Sequence, residues 1–442
     1  MKYDLIIVGA GPGGCMAARK AARDGLNVLI IEKLKEAGKV TRFCSRLLRL
    51  GSGGFSSDKP VTDVNINRAT CTIDVGAPGQ HIIRMHEFPA DASFAYAGEL
   101  DPCFNESWVS PSGAIFDRDA NDRTIDGFVV DKEVMLKGLL SEAVDAGCKI
   151  QAGTKCLEIE DTGDGVRLKV KTTAGEETLL AKRAIVADGS FSSLANQLGF
   201  DEGRSSGPGK LRFMSFILDR CELPFSEMRR ARFTQPSVHK GFLNVGPWPP
   251  GLWEISCSAP VASPVRLPQI LQEFLTNSAF SYLFEGAKIV DRQGCSMDLR
   301  PAVRDAARGN VICIGDNLAY AETAIKGAFG CGYKAAEATV QALDGKAGND
   351  FYNEYWTHAF NFFSPQYMKR GKRLASIPSI LSDDETDALY GWLTDLGIHG
   401  MPADILPQHR EELTNDLPEI ADKFFGKEKP RRGQELDGEE AA

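Results

Sequence analysis

The chain has 442 residues, 43% hydrophobic and 25% charged, enough to bury a full core and to build two or three structural units. Its net charge of −9 argues against a general nucleic-acid binder, and its eleven cysteines include no CxxC pair. A reduced, cytoplasmic protein is therefore expected rather than a secreted disulfide framework; no apolar run reaches the length of a membrane span, and no signal peptide is expected.

The first elements can be read residue by residue. Asp4–Val8 is a short, nearly all-apolar run, as expected of a parallel strand buried on both faces. Gly9-Ala10-Gly11-Pro12-Gly13-Gly14 follows. In such a turn Gly9 permits the tight bend, Gly11 lets the backbone approach a pyrophosphate, and Gly14 lets the next helix pack closely on the sheet. That helix carries Ala17, Ala18, Ala21 and Ala22 as its small face, and its N-terminus offers free N–H groups to phosphates. Asn27–Ile31 is the second strand and ends at Glu32, with Lys33 beside it. A carboxylate there accepts hydrogen bonds from an adenosine ribose and repels a 2′-phosphate, which favours FAD or NAD over NADP.

Further along, 76–127 is rich in Gly, Pro, Asp and aromatics and reads as an insertion. A helix is expected over Val134–Ala146, closed by Gly147, then strands over 149–159, 166–172 and 178–187. They deliver the chain to a second signature, Val186-Ala187-Asp188-Gly189, with Ser192 and Ser193 after it. Residues 201–298 alternate as antiparallel strands, among them Leu211–Leu218 and Leu252–Ser258, with one helix near 268–284. The third signature is Val311–Asp316, followed by Gly327, Gly330 and Gly332. Asp188 and Asp316 could by themselves be simple turn or helix caps.

In this order and spacing the three signatures resemble the flavoprotein superfamily of aromatic hydroxylases, flavin-dependent halogenases and geranylgeranyl reductases. The resemblance implies FAD. It puts Asp188-Gly189 near the pyrophosphate and the Asp316 carboxylate on the ribityl chain. Gly327-Ala328-Phe329 would then open a helix whose N-terminus faces the flavin pyrimidine ring. Within the superfamily the chain most resembles the geranylgeranyl reductase group. Gly38–Cys44 is similar to that group's Gly-Lys-Pro-x-Arg-Cys segment, so Arg42 and Cys44 are placed beside the flavin. Val130–Leu136 is similar to its Val-Asp-Arg-x-x-Phe-Asp segment, with Lys132 replacing the cofactor-contacting arginine, and Gly246–Trp253 echoes its aromatic-Trp-Pro segment. Cys156 completes the residues assigned to the cofactor. The third signature departs from the group's pattern: Glu322-Thr323 stands where Asn-Pro is usual, and Gly327-Ala328-Phe329 replaces three glycines.

The expected architecture is α/β. A discontinuous Rossmann-like FAD domain (1–75, 128–200, 300–345) carries a mainly antiparallel substrate domain (76–127, 201–299), a helical C-terminal region (346–426) and a disordered tail (427–442). Cys44 is the leading candidate for a proton donor or redox partner of the flavin, against the plainer reading of a small buried hydrophobe. Cys331 is a weaker candidate of the same kind, and Glu322 a second possible acid. The aromatics from Phe351 to Tyr367, beside Lys369–Arg373, could rest on an anionic membrane surface or form core. No histidine spacing suggests a metal site.

The resemblance implies an FAD-dependent oxidoreductase reducing or dehydrogenating a carbon–carbon double bond of an apolar substrate such as an isoprenoid. NAD(P)H, another reduced carrier or an electron-donor protein would supply electrons, as no second GxGxxG is present. The alternative is a monooxygenase acting through a flavin hydroperoxide. No cysteine follows Cys331, which argues against a C-terminal iron–sulfur cluster.

Overall fold

The computed structural model describes residues 3–50, 70–77, 79–103, 106–118, 125, 127–190, 192–205, 209–223, 230–364 and 377–426. The tail 427–442, Tyr367 and the basic cluster Lys369–Arg373 lie outside them.

The first layer is a parallel sheet. β1 (Tyr3–Val8) pairs with β2 (Val28–Glu32) on one side and with the end of β14 (Gly175–Val186) on the other. β11 (Lys149–Ala152) extends it beyond β2, and β21 (Val311–Cys313) beyond β14. β14 is long enough to serve two pairings. Its first half completes an antiparallel meander with β12 (Lys155–Asp161) and β13 (Val166–Thr172), and its second half enters the parallel sheet. The strands are apolar throughout β1 and β2 because both faces are covered.

Helices cover the sheet. α1 (Pro12–Arg23) follows β1, and α2 (Lys132–Asp145) precedes β11. α5 (Ala324–Leu343) packs along α1, where a Cβ on Gly332 would stand 2.0 Å from the Gly13 carbonyl oxygen. Only a glycine allows the two backbones to meet there. Asp131 caps α2, its Oδ1 accepting from the N–H groups of Glu133 and Val134.

The second large sheet runs β19 (Ile289–Asp298), β15 (Lys210–Leu218), β18 (Leu252–Pro260), β17 (Leu243–Trp248), β16 (Arg230–Phe233), β8 (Glu106–Val109) and β9 (Ile115–Asp117). All its pairings are antiparallel except β16 with β8. One face buries Phe216, Phe233, Val245 and Ile255 against α4 (Leu267–Asn277). The helix expected near 268–284 is thus α4 followed by a 3₁₀ turn over Ser281–Phe284.

Two sequence expectations divide or fall. The segment 76–127 is not one insertion. β5 (His81–Met85) and β6 (Phe94–Tyr96) pack into the same core as the parallel sheet, while β8 and β9 join the antiparallel sheet. The aromatic stripe is core rather than a free surface. Tyr352, Trp356, Phe360 and Phe362 are buried, and the Trp356 indole donates to the Val303 carbonyl at 2.7 Å. Hydrophobic cohesion within the chain already accounts for these rings. Further helices over Asp383–Asp395, Pro402–Gln408, Arg410–Asp416 and Pro418–Phe425 close over Trp108 and Phe116 at the far end of the large sheet. Among the described residues, no helix is long and apolar enough to cross a membrane.

Candidate active site

A cavity of about 910 Å³ lies where the parallel sheet, the N-termini of α1 and α5 and the polar face of the antiparallel sheet meet. The β1–α1 turn forms one wall. Gly9 has φ +105°, and a side chain there would strike the Ala187 carbonyl at 2.5 Å. A Cβ on Gly14 would lie 1.9 Å from the Gly9 carbonyl oxygen, so this turn closes only on glycine. Gly14 is packed inside the turn, whereas Gly9, Gly11, Pro12 and Gly13 line the cavity. Gly11 caps α1 without a side-chain acceptor, and a Cβ placed on it would meet nothing within 4 Å. Such a helix start, with unpaired N–H groups and open space before it, suits a pyrophosphate.

Glu32 ends β2 at the rim, with Lys33 beside it in the lining. Its two oxygens accept from the N–H groups of Ala10 (2.8 Å) and Leu34 (2.9 Å). This fixes the carboxylate toward the cavity and leaves lone pairs for a ribose hydroxyl. Asp188 and Gly189 stand on the opposite side, where Asn317 donates to Asp188 and burial raises the Asp188 carboxyl. Cys156 also lines this end, its thiol pushed up to about 12 chiefly by burial and donating to the Glu158 carbonyl.

The third signature is organised by Asp316. Its Oδ1 accepts from the Thr323 N–H (2.9 Å) and hydroxyl (3.0 Å), and its Oδ2 lies 3.8 Å from Arg42. These bonds fold the intervening loop so that α5 begins at Ala324, one turn earlier than the sequence suggested. Ala324 takes φ +56°, an uncommon conformation for a residue with a Cβ, at the very start of the helix. Gly327 and Phe329 are consequently inside the helix and absent from the lining; Phe329 packs edge-on to Phe94 at 5.1 Å. Ala328 does reach the cavity, together with Ala324, Ile325 and Lys326. A Cβ on Gly13 would stand 3.1 Å from the Ala328 carbonyl, which shows how closely the two helix starts converge.

Cys44 lines the cavity and accepts a hydrogen bond from Lys132 Nζ at 3.4 Å, so the two segments that resembled the reductase group meet in space. Glu322 projects into the same cavity. It is open to water within the cavity yet deep in the protein envelope, and that burial, reinforced by Asp316, raises its carboxyl to about 6 against the pull of Arg42 and Lys132. Cys331 is fully buried inside α5, with its thiol pushed up to about 12 by burial, and does not reach the cavity.

Several lining residues escaped the sequence reading. Phe43 stacks on Phe213 at 5.4 Å, and Cys295 and Met297 lie close by on β19. Arg230, Arg232 and Glu106 line the other end. Period-two alternation in β15 and β19 does mark Phe213, Cys295 and Met297 as sharing faces of their strands, but not which face meets the cofactor domain.

The residues around the cavity fit FAD: an open glycine turn at a helix start, an acid at the end of β2, and two further acidic motifs facing it. Comparison with known proteins agrees. Residues 3–230 match the family model described as pyridine nucleotide-disulphide oxidoreductase. A digeranylgeranylglycerophospholipid reductase of Methanococcus vannielii is 21% identical over 430 residues, covering 96% of this chain and 95% of its own length. A geranylgeranyl bacteriochlorophyll reductase-like protein of Thermoplasma acidophilum has a similar structure, with a TM-score of 0.68, 18% identity and coverage of 95% of this chain and 98% of its own. A p-nitrophenol 4-monooxygenase of Pseudomonas putida shares the fold with a TM-score of 0.57 and 17% identity, covering 96% and 99%. The chain belongs to the pyridine nucleotide-disulphide oxidoreductase family and is an FAD-dependent oxidoreductase of the geranylgeranyl reductase type.

Proposed function

We propose that this protein reduces carbon–carbon double bonds of an isoprenoid-bearing lipid. The observation that carries the reading is the convergence of Cys44, Lys132 and Glu322 on the cavity beside the α5 start, joined to the full-length match with a reductase of an isoprenoid phospholipid.

FAD, when bound, supplies the hydride chemistry. Gly9, Gly11, Pro12, Gly13 and the α1 start would hold its pyrophosphate, together with Asp188 and Gly189. Glu32 and Lys33 would take the adenosine end, and Asp316, fixed by Thr323 and Arg42, would hold the ribityl chain. The α5 start would support negative charge at the ring system. A hydride delivered to one carbon of a double bond leaves the other needing a proton. Glu322 is placed to hold that proton, and the Cys44 thiol, oriented by Lys132, lines the same wall. Electrons reach the protein from a reduced carrier or a nicotinamide.

Anaerobic incubation of the dithionite-reduced holoenzyme with a geranylgeranyl-bearing glycerophospholipid tests this by mass spectrometry. The lipid is expected to gain two hydrogens per reduced double bond. No mass gain without oxygen, with incorporation of an oxygen atom in air, would establish the monooxygenase reading instead.

A further inference from the structure

Of the eleven cysteines in the chain, nine are buried. The two that are not, Cys44 and Cys295, both line the flavin cavity. They come from distant segments, the stretch that follows β2 and the strand β19. Two contacts fasten those segments together. The Phe43 N–H donates to the Gly294 carbonyl at 3.3 Å, one residue before each cysteine. The Phe43 ring stacks on Phe213, which is the direct cross-strand neighbour of Cys295. Backbones joined by such a bond run about 5 Å apart, and a disulfide bridges Cα atoms up to about 7 Å apart. The two cysteines therefore stand within bridging range on one wall of the cavity.

The surroundings of the two sulfurs are charged. Lys132 Nζ lies 3.4 Å from Cys44 Sγ. Arg42 contacts the Cys295 thiol and pulls it down, while burial, Glu322 and Cys44 push it up. The same guanidinium is influenced by both sulfurs. Cations favour the thiolate, which is the form that makes and breaks disulfide bonds. Packing alone needs no cation at either sulfur. Cys156, the third thiol in the lining, is instead buried, and its neighbours are Asp188 and the Glu158 carbonyl.

We infer that Cys44 and Cys295 form a dithiol–disulfide couple that exchanges an electron pair with the flavin. In one direction the two S–H bonds break and one S–S bond forms. The two electrons and two protons released pass to oxidised FAD, which becomes reduced. The reverse step opens the disulfide and returns the cofactor to its oxidised form, so no further reactant is needed. The protein then stores an electron pair on each of two centres, and only the dithiol state leaves Cys44 as a thiol. The couple needs FAD in this cavity and holds whatever the lipid is.

Anaerobic titration of the air-equilibrated holoenzyme with dithionite tests the couple by counting electrons. The wild type is expected to take about two equivalents per FAD, one for each two-electron centre. Cys295→Ser and Cys44→Ser should each take about one equivalent, and Cys156→Ser about two. Alkylation followed by peptide mass mapping gives a readout that does not depend on turnover. A linked Cys44–Cys295 peptide is expected from the oxidised wild type, and two alkylated thiols once the titration is complete. One equivalent per FAD in the wild type, with both thiols alkylated from the start, would overturn the couple. So would a linked peptide that persists after the flavin is fully reduced, because those thiols would then pair without exchanging electrons with it. Either of these results leaves the lipid-substrate reading standing.

Discussion

A Gly11→Val variant is expected to fold as the wild type does and to purify without FAD, its flavin affinity reduced by at least about a hundredfold. The expectation follows from what surrounds the position. No protein atom lies within 4 Å of a Cβ placed on Gly11, and its backbone is extended, with φ −78° and ψ −176°. A valine therefore strains nothing in the chain itself. Its methyl groups instead occupy the space before the α1 start, where a pyrophosphate must approach the helix N–H groups. Gly14→Val is the control with the opposite failure. Its side chain must enter the Gly9 carbonyl, so that variant should lose stability whether or not flavin is present. Thermal unfolding of the two apoproteins, with flavin fluorescence titration of Gly11→Val, separates the effects. Retention of tight FAD binding by Gly11→Val would place the cofactor elsewhere.

Glu322→Gln is expected to lower the rate of lipid reduction by about a hundredfold, the usual worth of a positioned general acid, with flavin binding unchanged. The pH dependence carries the sign. The Glu322 carboxyl is raised from the usual value to about 6, so it holds its proton below that pH and releases it above. Wild-type turnover should accordingly be level at lower pH and fall as pH rises past about 6. Glutamine cannot donate the proton, so the variant should be slow at every pH and show no fall in that range. Glu322→Asp should restore part of the rate and the slope. If Cys44→Ala abolishes the slope while Glu322→Gln leaves it intact, the proton comes from the thiol, which Lys132 reaches at 3.4 Å. Both variants leave Asp316 and Thr323 paired, so the start of α5 is preserved.

Legibility in the sequence followed the range of the interactions involved. The β1–α1–β2 unit was readable because its turn, helix face and terminal acid are all set by neighbours within thirty residues or so of chain. The β13–β14 hairpin that leads to Asp188 was equally plain, since alternation fixes it locally, but the strand expected over 149–159 divides at Gly153-Thr154 into β11, which joins the parallel sheet, and β12, which joins the meander. The start of α5 was not. The glycines after Asp316 look like a helix opening, but Asp316 reaches forward to the N–H and hydroxyl of Thr323, and that contact starts the helix first. Gly332 and Phe329 then serve packing, against α1 and Phe94 respectively. The aromatic residues from Tyr352 to Phe362 carry no local sign of whether they face protein or lipid; their partners, such as Val303, lie some fifty residues away.

The arginine end of the cavity was the least accessible part. Glu106 meets Arg232 across 126 positions of chain, through the one parallel pairing in the antiparallel sheet. A composition-rich segment gave no reason to join β8 to β16. The resemblance to a reductase group did find Cys44, Arg42 and Lys132, which lie together although 88 residues separate the first contact pair. Motif similarity here stood in for a tertiary contact that spacing alone could not supply.

The most direct test of the reductase account follows flavin absorbance after the anaerobically reduced holoenzyme is mixed, in separate runs, with oxygen and with an unsaturated isoprenoid phospholipid. The account predicts slow reoxidation by oxygen and fast reoxidation by the lipid, with saturated product formed in step. Rapid reaction with oxygen, no oxidation by the lipid and a hydroxylated product would contradict it.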